Sequence, residues 1–413
     1  LFFIDLKMAW RNIWRNPRRS VLTILAITFA GALLVFMLSW QLGSYDALIN
    51  AAVGIQTGHL QVQAKNYSEE RDIRLVVPEP AAVGALLDAT DRVAAYAFRA
   101  SAFSVVSSKQ RTYGVVITGI EPDREARVST IETLVREGDY LSSSDVDQAL
   151  VGRLLATNLK IVPGDELVVL GQGRDGSVAA TVLKVKGIFS SGQDDFDRGF
   201  LFMPLDTFQE VYSMRGAVNQ VVVMGDSLSD VPGIKAALIS GLHRVEGGDR
   251  LRVLGWRELM PGLMEAIKMD LISGFIFYLV LIVVVAFSIL NTFLMAILER
   301  TREFGVMLAI GTRPGRLIRV LLLESSGMTI LGIIAGALLG SVVTLYYQTY
   351  GFHIPGATEI LKQYGLPERI YPQLSVLSAS IGPGIVLVIT FLAALYPALK
   401  VRRFKPVEAM AAV

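Results

Sequence analysis

The stretch ERTREFGVMLAIGTRPGRLIR, residues 299–319, sits between two long apolar windows. It opens with Glu299, Arg300, Arg302 and Glu303, turns apolar at Phe304, Met307, Leu308 and Ile310, and breaks at Gly311 and Pro314. A membrane-crossing helix would not carry those charges, and a solvated linker has no use for those apolar side chains. The stretch reads as a short helix at a boundary, and its flanks decide the fold.

Windows of about 20 apolar residues cross a hydrocarbon core of roughly 30 Å. Four such windows occur, at 21–42, 271–298, 320–347 and 375–399. The second contains FIFYLVLIVVVAFSIL; the fourth is interrupted by Gly382, Pro383, Gly384 and Pro397. Neighbouring helices and water can satisfy the backbone groups that such residues free. The first window follows a basic flank, as a signal peptide does. It is too long for one and lacks a small-residue cleavage pattern, so it is expected to be an uncleaved anchor.

The 413 residues are 52% hydrophobic with a net charge of only +2, but the charge is segregated. Lys7, Arg11, Arg15, Arg18 and Arg19 precede the first window, and Arg300, Arg302, Arg313, Arg316 and Arg319 separate the second from the third. Lys400, Arg402, Arg403 and Lys405 follow the fourth, whereas the 348–374 loop has only Lys362 and Arg369. Basic residues favour the cytoplasmic side. Both termini and residues 299–319 are therefore expected inside, with 43–270 and 348–374 outside. Residues 1–20, with Trp10 and Trp14 four apart among arginines, read as an interfacial helix. Residues 400–413 read as a cytoplasmic tail.

Residues 43–270 are polar enough for an extracytoplasmic α+β domain. Its ends, GSYDALINAAVGIQ and WRELMPGLMEAIKMD, have helical spacing and read as stalks. Between them, GHLQVQA, a helix near residues 80–89 and SAFSVVSS form one strand–helix–strand unit; VNQVVVMG, DVPGIKAALISGL and DRLRVLG form another. Together they suggest a split βαβ layer. Short strands broken by Gly, Asp and Ser clusters over about 121–215 read as a β-rich insertion.

No catalytic constellation is visible. GQGRDG, residues 171–176, matches a dinucleotide fingerprint in letters, but a β-rich stretch follows where a helix is needed. It reads as a hairpin loop. There is no P-loop, no cysteine, and no metal-ligand spacing among His59, His243 and His353. Nothing points to catalysis, a bound metal or a nucleic-acid partner. Gly332, Gly336 and Gly340 line one helical face and predict close helix packing. Asn291, polar within the second window, is expected to face protein or an intramembrane cavity rather than lipid.

One span, a large external domain and three more spans, with a charged-then-apolar helix after the second, resembles the permease subunits of FtsX/MacB-type (type VII) ABC transporters. ERTREFGVMLAIG is similar to the family's E-R-x-x-E-[FI]-G-x-x-x-A-[IL]-G segment. NPRRSVLTILAI resembles its first-span start and YPALKVRRFKPVEAM its C-terminal ending, with Val401 where Ala is frequent. Within the family, GHLQVQAKNY and the strands around VKGIFSSGQDDFDRGFLFMPL look most like the LolC/LolE lipoprotein-releasing group.

The resemblance implies a bacterial inner-membrane subunit whose ATP and Mg are bound by a separate cytoplasmic ATPase dimer, with no cofactor on this chain. It implies a second permease subunit, identical or related, membrane lipid as surroundings, and a periplasmic carrier or adaptor. Residues 299–311 become a coupling helix, with Glu299, Arg300, Arg302 and Glu303 as polar contacts and Phe304, Met307 and Leu308 as apolar anchors. Gly305 and Gly311 belong to the same motif. The implied mechanism is mechanotransmission: ATP binding draws the spans together and the stalks move a porter-like layer with a Sabre-like β insertion. LolC-like members carry a long hook where this chain has only GQGRDG. Three functions stay open: extraction of a lipoprotein or other amphiphile, MacB-type efflux of drugs or peptides, and FtsX-type signalling to a periplasmic partner.

Overall fold

In a computed structural model, residues 2–109, 111–353, 355–356 and 368–400 are described. Lys362, Arg402, Arg403, Lys405 and Val401, with most of the C-terminal motif, lie outside the described residues. The chain forms two compact units. One comprises residues 1–45, 267–353 and 369–413; the other comprises 46–266 and 354–368.

Helix α1 spans Phe2–Arg15 and α2 spans Pro17–Ile55. After the other unit come α3 (Pro261–Glu299), α4 (Thr301–Ala309), α5 (Pro314–Tyr350) and α6 (Val376–Lys400). The helices α2, α3, α5 and α6 are long and apolar enough to cross a membrane. Two-residue strands Phe352–His353 and Arg369–Ile370 pair between α5 and α6.

The glycine face of α5 packs on α2 of the same chain. A Cβ on Gly332 would meet Ile27 at 2.7 Å, one on Gly336 the carbonyl oxygen of Thr28 at 2.7 Å, and one on Gly340 the backbone of Ala32 at 2.9 Å. With no side chain in the way, the Thr28 hydroxyl reaches across to donate to the Gly332 carbonyl at 3.2 Å. This close approach is the packing that small residues permit in lipid. Near the far ends of α2 and α5, Trp40 stacks edge-on against Phe352 at 4.7 Å, and Phe352 against Tyr347 at 5.1 Å. A hydrogen-bonded chain from Tyr278 through Gln41 and Tyr45 to Asp270 joins α3 to α2.

Asn291, expected to face protein or an intramembrane cavity, is exposed on α3 and is not packed inside this chain's own bundle. The inward stripe of α3 is Tyr278, Leu281, Ile282, Val285, Ile289 and Phe293. Its helical spacing puts residue 291 on the opposite side.

The second unit is built on one ten-stranded sheet. Its strands are β1 (Leu60–Ala64), β2 (Val93–Ser107), β3 (Thr112–Ile120), β4 (Val135–Gly138) and β5 (Gln148–Gly152). They continue with β6 (Glu166–Gln172), β7 (Val178–Phe189), β8 (Phe200–Pro204), β9 (Gln220–Gly225) and β10 (Leu251–Gly255). The order is β10-β1-β9-β2-β3-β8-β5-β7-β4, with β6 joining β2 and β7. At one end the two strand–helix–strand units interleave as β10-β1-β9-β2, all pairings antiparallel, which is the split βαβ order. Their helices, Pro80–Asp88 and Val231–Leu242, contribute Val83, Leu87, Ile234 and Leu238 to a core over Leu60, Val62 and Val223.

The β-rich stretch is not a separate sheet. The 15-residue β2 is long enough to pair with β9 at its start and with β6 at its end. Parallel pairing of β3 with β8 carries the same sheet onward. The stretch GQGRDG closes the β6–β7 hairpin, with Gly176 at φ +88° and both Ser177 groups donating to Asp175.

Candidate functional site

The segment after α3 is shaped by its own local chemistry. Arg300, at φ −107° and ψ 9°, interrupts the helix between Glu299 and Thr301. At the far end of α4, the Gly311 N–H donates to the Leu308 carbonyl at 3.1 Å and the Thr312 N–H to the Met307 carbonyl at 2.9 Å. Gly311 adopts φ +95°. These features make a Schellman cap, which needs a residue tolerant of the left-handed region. Pro314 then occupies the first turn of α5, where its missing N–H costs nothing. The result is one short helix between two sharp breaks.

Which face of α4 is free differs from the sequence expectation. Phe304 is only 2% exposed and packs with Ile297 of α3 and Leu317 of α5; half-buried Met307 and Leu308 lie against the same cluster. Phe304 is therefore an internal anchor of the segment and not a surface group, and Gly305 is buried beside it. The outward stripe is Arg302, Val306 and Ile310, four residues apart, the last 78% exposed. Met307 and Leu308 stand at the edge between the two faces.

The charges are mostly spent within the chain. The Arg300 side chain is 9% exposed and pairs through Nη1 with Glu324 Oε2 at 3.2 Å and through Nε with Glu303 Oε2 at 3.2 Å. Its guanidinium also lies 5.5 Å from the Phe304 ring centre. Glu303 accepts from Arg15 of α1 as well, and Glu299 accepts from Arg19 of α2 at 3.0 Å. The hydrogen bond from Arg15 holds the Glu303 carboxyl below its usual range; partial burial opposes this and Arg300 adds to it. Asp5 of α1, 1% exposed, takes Arg316 Nε at 2.8 Å and Arg319 Nη1 at 3.7 Å. Of the four charged residues expected as polar contacts, Arg302 alone belongs to the free stripe.

The helix α1 closes the assembly from the side. Asp5, Ala9 and Ile13, four apart, are its buried residues; Trp10 and Trp14 remain exposed with their rings 6.0 Å apart, edge to face. The ion pairs thus tie α1, α2, α3, α4 and α5 together around one short turn of helix. Sequence reading missed Asp5, Arg15, Arg19 and Glu324 as partners. Glu324 had a signal: it is the one carboxylate in the 320–347 window, and an ionisable group there needs a partner.

Four helices of spanning length, a large domain between the first and second, and a clamped surface helix after the second define a class, the permease subunit of an ABC transporter. The family model for the MacB-like periplasmic core domain matches residues 20–240, and that for the FtsX-like permease C-terminal region matches 275–406. The chain belongs to this FtsX/MacB-type (type VII) family of permeases. It is 24% identical over 316 residues to the lipoprotein-releasing system transmembrane protein LolC of Xylella fastidiosa, covering 73% of this chain and 74% of that one. It is 25% identical to the macrolide export ATP-binding/permease protein MacB of Rhodospirillum rubrum, covering 98% of this chain and 60% of that one. The periplasmic region of MacB from Actinobacillus actinomycetemcomitans aligns with 52% of this chain at 14% identity and a TM-score of 0.38.

Proposed function

We propose that this chain is the permease of an ATP-driven system in which a separate cytoplasmic ATPase dimer, holding ATP and Mg, docks on the outward stripe of α4. The observation that carries this reading is the pairing of Arg302, Val306 and Ile310 on the free side of a helix whose other side is anchored in the bundle. Apolar side chains at i, i+4 on an exposed helix are what a groove accepts, and a basic residue at one end steers it. Because α4 is tied to α1, α3 and α5, a push on it would be passed to them rather than absorbed. Mechanotransmission needs that stiffness.

In this reading both termini and α4 are cytoplasmic and the ten-stranded unit is periplasmic, in a bacterial inner membrane. The β10-β1-β9-β2 quartet would be the porter-like layer and the β4–β8 part the Sabre-like one. A second permease subunit would cover Asn291 and the exposed side of α3, since a polar group against lipid is costly. The cargo would be a lipoprotein or another amphiphile; the LolC relative's name gives lipoprotein release for that protein. A second reading, MacB-type efflux of drugs or peptides through a periplasmic adaptor, is favoured by the alignment to MacB over 98% of the chain. The short β6–β7 turn leaves no hook for a carrier and supports the same alternative.

Two measurements test the scheme. The chain has no cysteine, so D175C and R313C give clean labelling sites. An impermeant thiol reagent should modify D175C and spare R313C in intact cells, and the reverse pattern would overturn the orientation. Mass spectrometry of the native complex should find an ABC ATPase and a lipid-modified or amphiphilic cargo; a complex without ATPase would refute the reading.

A further inference from the structure

The strand β1 is buried on both faces, yet only one face is apolar. Leu60 and Val62 enter the helix-covered core, whereas Gln61 and Gln63, 5% and 2% exposed, point to the other side. The sheet register extends this polar face sideways. Gln63 stands opposite Gln220 and Gln220 opposite Arg99; one row on, Ser101 stands opposite Thr118 and Thr118 opposite Phe202. Side chains in such rows share a face. They floor a cavity of about 530 Å³ within the second unit, whose walls include Phe200, Met260 and Leu263. That volume falls in the roughly 300–1,000 Å³ range of small-molecule sites.

Most of the polar groups on this floor are already satisfied. Gln61 Nε2 donates to the Thr57 carbonyl at 3.0 Å, and the Ser101 and Thr118 hydroxyls bond each other at 3.1 Å. Arg99 is held by both oxygens of buried Glu125 and by the Gln56 carbonyl, so the floor presents no free charge from it. The Nε2 of Gln63 is buried and finds no hydrogen-bond partner among the described residues. Buried amides of this kind are rare in folded proteins and call for a partner.

We infer that this cavity binds the acyl-carbonyl part of a small amphiphile, with its ester or amide oxygen accepting from Gln63 Nε2 and its chain lying against Phe200, Phe202 and Met260. On the floor Arg99 and Glu125 neutralise each other, and the charged groups of the cavity, Glu69, Arg71 and Glu258, stand in its walls. The site deepens the reading of the chain as a permease for an amphiphile and rests on that reading for the role of the ligand. Its test measures binding without the ATPase, so a failure here and a failure of α4 docking are distinguishable.

The experiment uses the full chain in lipid nanodiscs with three diazirine probes: N-decanoylglycine methyl ester, monodecanoylglycerol, and a decyl chain with no carbonyl. Saturable labelling of β1, β3 and β8 by one or both carbonyl probes, about tenfold above the plain chain, is the expected result. The glycine ester alone points to an acylated peptide, and the glycerol ester alone to a lipid. Gln63→Leu should weaken carbonyl-probe labelling about fivefold, the weight of one neutral hydrogen bond, while holding or raising the melting temperature, because it removes an unsatisfied group. Thr118→Phe should block the cavity and abolish labelling there. Labelling confined to the apolar helices, or equal labelling by all three probes on wild-type protein, would overturn the site whatever the variants do.

Discussion

Arg300 and Glu324 meet at 3.2 Å with both side chains less than a tenth exposed, and so join the break before α4 to the first turns of α5. Removing one partner of a buried pair leaves the other as an uncompensated charge, which typically costs about 3–5 kcal/mol. Arg300→Ala should therefore lower the thermal midpoint of the purified chain sharply. Replacing both residues, as Arg300→Met with Glu324→Leu, should recover much of the loss. A double variant as unstable as the single one would show that the pair is not an isolated unit.

The α2–α5 contact predicts a contrast between glycines. Gly336→Leu and Gly340→Leu force a side chain into backbone atoms that lie within 3 Å of the new Cβ, so both should disrupt the bundle. Gly384→Ala, whose Cβ would meet nothing within 4 Å, should leave stability unchanged or slightly improved. Thermal melts of the three variants in one detergent check this, and equal tolerance of all three would refute the packing.

Gly311 holds the Schellman cap at φ +95°. An alanine there should cost about 1–2 kcal/mol of local stability, since L residues with a Cβ avoid that region. Because no atom lies within 4 Å of its Cβ, the effect would be conformational and not steric. Hydrogen exchange over residues 301–312 should quicken in Gly311→Ala and stay unchanged elsewhere.

His59 links the second unit's sheet to its entering helix: its Nδ1 accepts from the Gly225 N–H at 3.1 Å, and its Nε2 lies 3.2 Å from Asn50 Oδ1. Burial lowers its pKa below 6.5. The unfolded chain then binds the proton more readily than the folded one. Stability conferred by neutral His59 is fully present above about pH 6.5 and falls as pH drops through that value toward the folded pKa. His59→Gln should flatten this part of the melting-temperature profile between pH 7.5 and 5.5. A wild-type profile no steeper than the variant's would contradict it.

Much of this architecture was legible because the membrane imposes a coarse rule. Apolar windows of spanning length mark α2, α3, α5 and α6, and Gly311 and Pro314 mark the turn between α4 and α5. The glycine face of α5 could be read, but not its partner, because helix pairing depends on three-dimensional proximity that spacing does not encode. The faces of α4 were misread for a similar reason. Nine residues give too few turns to separate the stripe of Phe304 from that of Val306 and Ile310, and both stripes are apolar. The continuity of the sheet was hidden in the register of β2, where one long strand serves two neighbours in succession. The unsatisfied amide of Gln63 was invisible, since alternation alone marks glutamine as an outward residue.

The central claim, that the outward stripe of α4 receives an ATPase, is tested most directly by separating its two faces. The measurement is co-purification and ATP turnover of the complete complex carrying Val306→Asp with Ile310→Asp, beside Phe304→Ala. The outward pair should keep the melting temperature of the permease and lose ATPase association and stimulated turnover by tenfold or more. Phe304→Ala, which opens a cavity beside Ile297 and Leu317, should lower the melting temperature by the equivalent of about 3–5 kcal/mol. Normal association and normal turnover in the Val306/Ile310 double variant would contradict the account.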